Sequence, residues 1–217
     1  MKNRLSALAL GMTLFAASGA ARAGTVSAVG DVVVLTNADE LIAPRSGNFD
    51  EGPTSGEMPA DVYASLGLTW RSGPLSSILP GVTQAGSAVL PTYDAQSGSA
   101  YFPSPLNGGT HTGSYAFHAG VATFSVTVTQ VGLTASRNGT QYLTAWDASG
   151  KMIGQVTWVP DNTSSFIGMD TLGVPIAMVA YGNDDLWNGA TYDVVGYTII
   201  SDSWRWGGVC SADADCD

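Results

Sequence analysis

The residues best suited to chemistry gather in a few short stretches. "GNDDLWNGATY", residues 182–192, sets Trp187 among Asn183, Asp184, Asp185 and Asn188. An indole face suits the apolar C–H face of a pyranose, and amide and carboxylate groups beside it suit the sugar hydroxyls. Trp187, Asn188, Asp184 and Asp185 are therefore candidate ligand-binding residues. Tyr93 and Tyr101, in an irregular part of the chain, are candidates to join them. For any single tryptophan, burial in a core is the competing reading.

A second stretch, "YLTAWDASGKMIGQV" (residues 142–156), brings Asp147, Ser149 and Lys151 together between two apolar runs. Asp can bond backbone N–H groups two residues on, and Gly150 can take a positive φ. This is hairpin-turn chemistry, with Lys151 expected to face water. His111 and His118 lie in "THTGSYAFH", seven apart, and on a strand they would face opposite sides. The chain has no H-E-x-x-H, no G-x-S-x-G, no phosphate-binding loop and no Cys/His zinc spacing. Paired carboxylates for glycoside hydrolysis can come from distant strands, but Glu40, Glu51 and Glu57 are the only glutamates. The expectation is a protein that is not an enzyme.

The elements that must position these residues read as strands. Phe124, Val126 and Val128 alternate with Ser125, Thr127 and Thr129, and Ile176, Met178 and Ala180 form another alternating set, as do Val195, Tyr197 and Ile199. Asp31–Leu35, Val62–Trp70, Gln141–Trp146, Met152–Trp158 and Ser165–Met169 are further strands. Gly-, Asn-, Asp- and Pro-rich turns separate them. Residues 38–120 are richer in Pro, Gly and Ser and read as long loops, where binding sites tend to sit. Many short strands with frequent turns predict an all-β antiparallel sandwich.

The chain opens "MKNRLSALALGMTLFAASGAARA", a basic start, a short apolar run and an A-x-A site, which is the pattern of a secretory leader. The expected organisation is a signal peptide over 1–23, one β-sandwich domain over 24–206 and an acidic tail over 207–217. The formal charge of −10 falls to −13 without the leader, 18 acids against five bases. So acidic a surface excludes nucleic acid and anionic membrane as partners. Cys210 and Cys216, the only cysteines, are expected to form a disulfide in an exported chain. Between and after them Asp213, Asp215 and Asp217 make a solvated acidic end.

Three passages taken together resemble a family: "NFDEGPTSGEMPADVYASLGLTW", "SSFIGMDTLGVPIAMVAYGNDD" and "TYDVVGYTI". They resemble the jelly-roll, galactose-binding-like domains of secreted bacterial proteins, many of which carry a PEP-CTERM sorting tail. No PEP motif and no terminal apolar helix is present here, and Asp193 is followed by Val194 where the family pattern pairs two acids. The resemblance spans roughly residues 48–201. It implies a jelly-roll sandwich, carbohydrate as the leading ligand class, and a structural calcium held between the first and last strands. Carried over by position, the calcium ligands would be Asp50, Glu51 and Asp193. Calcium takes several hard oxygens, which two adjacent carboxylates on a bent backbone can supply.

The sequence thus predicts a secreted, non-catalytic binding or adhesion module for extracellular polysaccharide, stabilised by calcium. A structural protein of an extracellular matrix is the alternative, and a secreted glycoside hydrolase the third reading.

Overall fold

The computed structural model describes residues 25–42, 44–49, 56–57, 59–71, 73–82, 94–95, 100–103, 112–116, 119–135, 139–159, 165–182, 184–189 and 199–208. In these the chain forms β1 (Thr25–Gly30), β2 (Val33–Leu35), β3 (Arg45–Gly47), β4 (Gly56–Glu57), β5 (Leu68–Arg71), β6 (Gly73–Pro74), β7 (Asp94–Ala95) and β8 (Ala100–Pro103). There follow β9 (Thr112–Ala116), β10 (Ala119–Phe124), β11 (Gln130–Ala135), β12 (Gln141–Trp146), β13 (Met152–Val159), β14 (Ser165–Asp170), β15 (Met178–Gly182) and β16 (Ile199–Gly207). Among the described residues, helix is confined to one turn, α1 (Leu75–Ile78), and two 3-10 turns, Ala38–Glu40 and Ala64–Leu66. Asn37 caps the first of these, with Glu40 closing back on the Asn37 N–H at 2.7 Å.

Two antiparallel sheets pack face to face. One runs β1-β13-β12-β15-β10-β5, the other β2-β14-β11-β16-β9-β8-β4, with β3 added to β16. The all-β antiparallel sandwich expected from the alternation is the observed architecture. Period-2 side-chain placement explains it. On β12, Leu143 and Ala145 enter the space between the sheets, while Trp146 points to the opposite face. Val156 and Trp158 of β13 and Val179 and Tyr181 of β15 share the inner side. The facing sheet contributes Val131, Leu133, Ile167, Met169, Trp204 and Trp206. Trp70 and Trp204 meet edge to face with ring centroids 4.9 Å apart. Each fully buried side chain of this size stabilises the fold by roughly 1.5–3 kcal/mol.

Several strand expectations shift. Phe124–Thr129 does not run as one strand. β10 stops at Phe124, and Ser125–Thr129 carry the chain from one sheet to the other. Ser125 N donates to Gly67 O at 2.9 Å and Ile176 N to Val128 O at 2.7 Å. Val126 and Val128 alternate because they pack inside this crossing, not because they sit on a pleat. In Val62–Trp70 only Leu68 onward is strand, since Tyr63 turns inward, where its hydroxyl oxygen accepts from the Phe49 N–H at 2.5 Å. Ile176 belongs to the inter-sheet core, whereas Met178 and Ala180 line the opposite face of β15. Strand Asp31–Leu35 reduces to Val33–Leu35, and β1 precedes it. Trp204 and Trp206 join the inter-sheet core. Both are fully buried, donating from Nε1 to Ser201 Oγ at 2.8 Å and to Leu66 O at 3.0 Å.

Candidate functional site

The outer face of the six-stranded sheet carries its own small apolar cluster: Leu75, Val82, Val121, Trp146, Met152, Met178, Ala180 and Leu186. Leu75 and Val82 come from the segment around α1, and Leu186 from the loop after β15. Burial of Leu186, 1 % exposed, pins residues 184–189 across β12 and β13. Trp187 packs against the rim of this cluster and is half-buried. Its ring edge lies over Gly30, where a Cβ would stand 2.9 Å from the indole and 2.5 Å from the Ile153 carbonyl oxygen.

Polar groups of the two strands hold the loop. Thr144 and Gln155 face each other across β12 and β13 and are buried. The Thr144 hydroxyl donates to Gln155 Oε1 at 2.9 Å, and the Trp187 N–H donates to the same oxygen at 3.0 Å. Gln155 Nε2 donates to Asp185 Oδ1 at 2.8 Å. Asn188 then closes on Asp185, its N–H to Oδ1 at 3.2 Å and its Nδ2 to Oδ2 at 2.8 Å. The Asp185 carboxylate is fixed by three donors while Asn188 stays exposed. Tyr142, half-buried on the same face, stands close enough to feel this charge. Burial first, and the Asp185 carboxylate second, push its phenol above the ordinary value.

A carboxylate can accept at about four lone-pair positions, so one or so remains for a ligand. Asn188 offers an amide oxygen, and Tyr142 a ring and a hydroxyl. A rigid acceptor, an amide and an aromatic side chain on one face can hold adjacent hydroxyl groups and the apolar side of a sugar ring.

Of the residues expected to bind ligand, Trp187, Asp185 and Asn188 come together here. Asp184 lies in the same loop but is buried, 4 % exposed. Tyr101 lies on β8, paired with Ser114, with its side chain outside the described residues. Tyr93, Asp50, Glu51, Asp193, Cys210 and Cys216 also lie outside the described residues, and with them the calcium and disulfide expectations. Among the described residues no group of three or more His, Cys, Asp or Glu side chains is placed to hold a metal ion, and no helix is long and apolar enough to cross a membrane. Tyr142, Thr144 and Gln155 were not singled out by the sequence reading. The signal available was their shared outward position on two adjacent strands.

The hairpin "WDASGKM" is a turn. Asp147 Oδ1 accepts from the Ser149 N–H at 2.8 Å, the Ser149 hydroxyl at 2.6 Å and the Lys151 N–H at 3.1 Å. Partial burial pushes its carboxyl up, but the Ser149 hydroxyl, these N–H groups and the Lys151 charge outweigh it and hold Asp147 below the ordinary range. Gly150 has φ +83°, and a Cβ there would stand 2.3 Å from the backbone of Gly81, itself at φ +80°.

Comparison of the chain with family models, curated proteins and solved structures finds no match.

Proposed function

We propose that this chain is a secreted, non-catalytic binding module for extracellular carbohydrate, built as a jelly roll. The observation that carries the ligand reading is the Asp185 carboxylate, fixed by Gln155 and Asn188 and set beside Tyr142 on an outer sheet face. Such a site is pre-organised, so a sugar would not have to order the loop on binding. The jelly-roll reading is supported by strand order. From β9 to β16 the chain changes sheet at each connection except the β12–β13 hairpin, and the sheets contain the runs β10-β15-β12-β13 and β9-β16-β11-β14. The leader-like first 23 residues and the acidic composition support export and a hydrated polysaccharide setting.

The test is a polysaccharide panel scored by affinity electrophoresis and calorimetry, with Asn188→Ala, Asp185→Ala and Tyr142→Ala beside the native protein. Saturable binding to at least one glycan, weakened about tenfold or more by each variant, is expected, since a lost charged hydrogen bond or ring contact is worth about 1.5–3 kcal/mol. Binding that survives all three variants in folded protein would remove this loop as the site. No binding across the panel would remove carbohydrate as the ligand class.

A further inference from the structure

Among the described residues, the two large sheets end on five strands, β1 and β5 in one and β2, β4 and the added β3 in the other. Exposed strand edges invite pairing with other chains, and folded proteins shorten, charge or cover them. Four of the five edges follow this rule. β2 and β3 have three residues each and β4 has two. β5 carries Arg71, and its outer edge is covered by its own preceding loop, with Trp70 N donating to Ala60 O at 2.8 Å and Leu68 N to Tyr63 O at 3.1 Å.

β1 follows none of it. Its sequence, TVSAVG, has no charge and no proline, and its register with β13 is unbroken from Thr25↔Val159 to Gly30↔Gly154. Five of its six residues are exposed, Val29 at 40 %, and so is the neighbouring Val159 at 43 %. Just past the strand, the Asp31 N–H donates to Ile153 O at 3.0 Å. In an antiparallel ladder the bonding side alternates, so Thr25, Ser27 and Val29 bond to β13. Val26 and Ala28 direct their N–H and C=O groups outward, and no hydrogen bond between described residues reaches them.

We infer that β1 is a pairing edge for a second copy of this chain, joined antiparallel about a two-fold axis. Two features select a copy over a foreign strand. The first is charge: in a chain of net charge −10, neither β1 nor β13 contains an acidic or basic residue, so two copies can approach there without like charges opposed. The second is self-complementarity. A two-fold at Ser27 sets Val26 opposite the partner's Ala28 and Ala28 opposite the partner's Val26, so that the outward donors and acceptors of each meet those of the other. On the outer face Val29 then falls beside the partner's Thr25, and the two Ser27 residues face each other as a closely spaced, non-hydrogen-bonded pair. The axis stands perpendicular to the sheet. Both copies therefore present their Asp185 loops on the same side of one continuous twelve-stranded sheet.

The contact is small, under the roughly 1,200 Å² of standard stable complexes, so the dimer should form between about 10 µM and 1 mM. Sedimentation of the full chain over that range tests it. A monomer–dimer equilibrium is expected, abolished by Ala28→Pro, which removes an outward N–H and leaves the bonds to β13 in place. Ser27→Lys, which sets like charges opposite each other on an exposed position, serves as the second variant if the proline disturbs folding. Ser27→Cys should yield an oxidised dimer whose cross-link maps to position 27 in both chains, because such pairs have Cα atoms about 4.5 Å apart. Thr25→Cys, whose partner is Val29, should not. A chain monomeric at about 1 mM overturns the inference and leaves the edge to an extended segment of another protein. So does a dimer unaffected by both edge variants, or cross-linking no better at position 27 than at 25.

Discussion

Gln155→Met is the most informative single change for the geometry of the loop. Methionine matches the volume of glutamine and removes both polar atoms. The Thr144 hydroxyl, 0 % exposed, loses its acceptor, and a buried donor left unsatisfied costs about 1–3 kcal/mol. The part-buried Trp187 N–H loses the same acceptor, at a cost of about 1 kcal/mol. Asp185 keeps both contacts from Asn188 and contributes little to the change. The expected loss is about 2–4 kcal/mol, which for a chain of this size lowers Tm by about 5–15 °C. Thr144→Val alone leaves Gln155 bonded to Trp187 and Asp185 and should cost only about 1 kcal/mol. The double variant should cost less than the two singles together, because it removes the orphaned hydroxyl along with its partner. Calorimetry gives the Tm values, and hydrogen exchange at the Trp187 amide reports whether the loop has loosened. A Tm within 2 °C of native and unchanged protection at Trp187 would refute the assignment of Gln155 as the group that holds the loop.

Three further outcomes follow from the geometry. Leu172 is 66 % exposed at φ +54°, a conformation that costs most L-residues about 1–2 kcal/mol, so Leu172→Asn should raise stability by about 0.5–1 kcal/mol in chemical denaturation. Tyr142 holds its proton past the pH at which the unfolded chain loses it. Its contribution is complete below the ordinary phenol value near 10 and is lost as pH rises toward the folded value. Asp185→Asn should move the Tyr142 titration to lower pH in NMR of labelled tyrosine, with Tyr142→Phe identifying the signal. Asp147 has the opposite sign: its contribution is present above the ordinary carboxylate value and fades as pH falls through the folded one. Asp147→Ala should therefore cost on the order of 1 kcal/mol at pH 7, and progressively less as melts are taken from pH 5 to pH 2.

The legible part of the fold was the strands whose two faces meet different surroundings. Gln141–Trp146 is read from the sequence with the bounds the structure gives, and β13 and β14 differ only at their ends. Their alternation separates an inter-sheet core from an outer face, so it carries the information. β1 escaped notice because its residues are small and mostly exposed, leaving no apolar contrast to read. Phe124–Thr129 misled for the converse reason, since a crossing segment can alternate without a pleat. At the site, Trp187, Asp185 and Asn188 were visible because loop chemistry is local in sequence. Gln155 and Thr144 were not, because their role depends on which strand lies next to which, and that is set by long-range pairing. Asp184 and Asp185 are neighbours of identical type, and only the folded loop distinguishes the buried first from the part-exposed second.

The contact of Gly150 with Gly81 bears on how this protein can be modified. A hairpin tip is ordinarily the first place to insert an epitope, a fluorophore or a new chain terminus. Here the tip at residues 147–150 is seated on another turn, backbone against backbone, with no room for a methyl group on either side. It behaves as a keyed joint between the α1 segment and the sheet beneath. Insertions there should scatter the apolar cluster that supports Leu186, and the Asp185 loop with it. The turn at Leu172 and Gly173, where the glycine has nothing within 4 Å, is the place where added sequence should be tolerated.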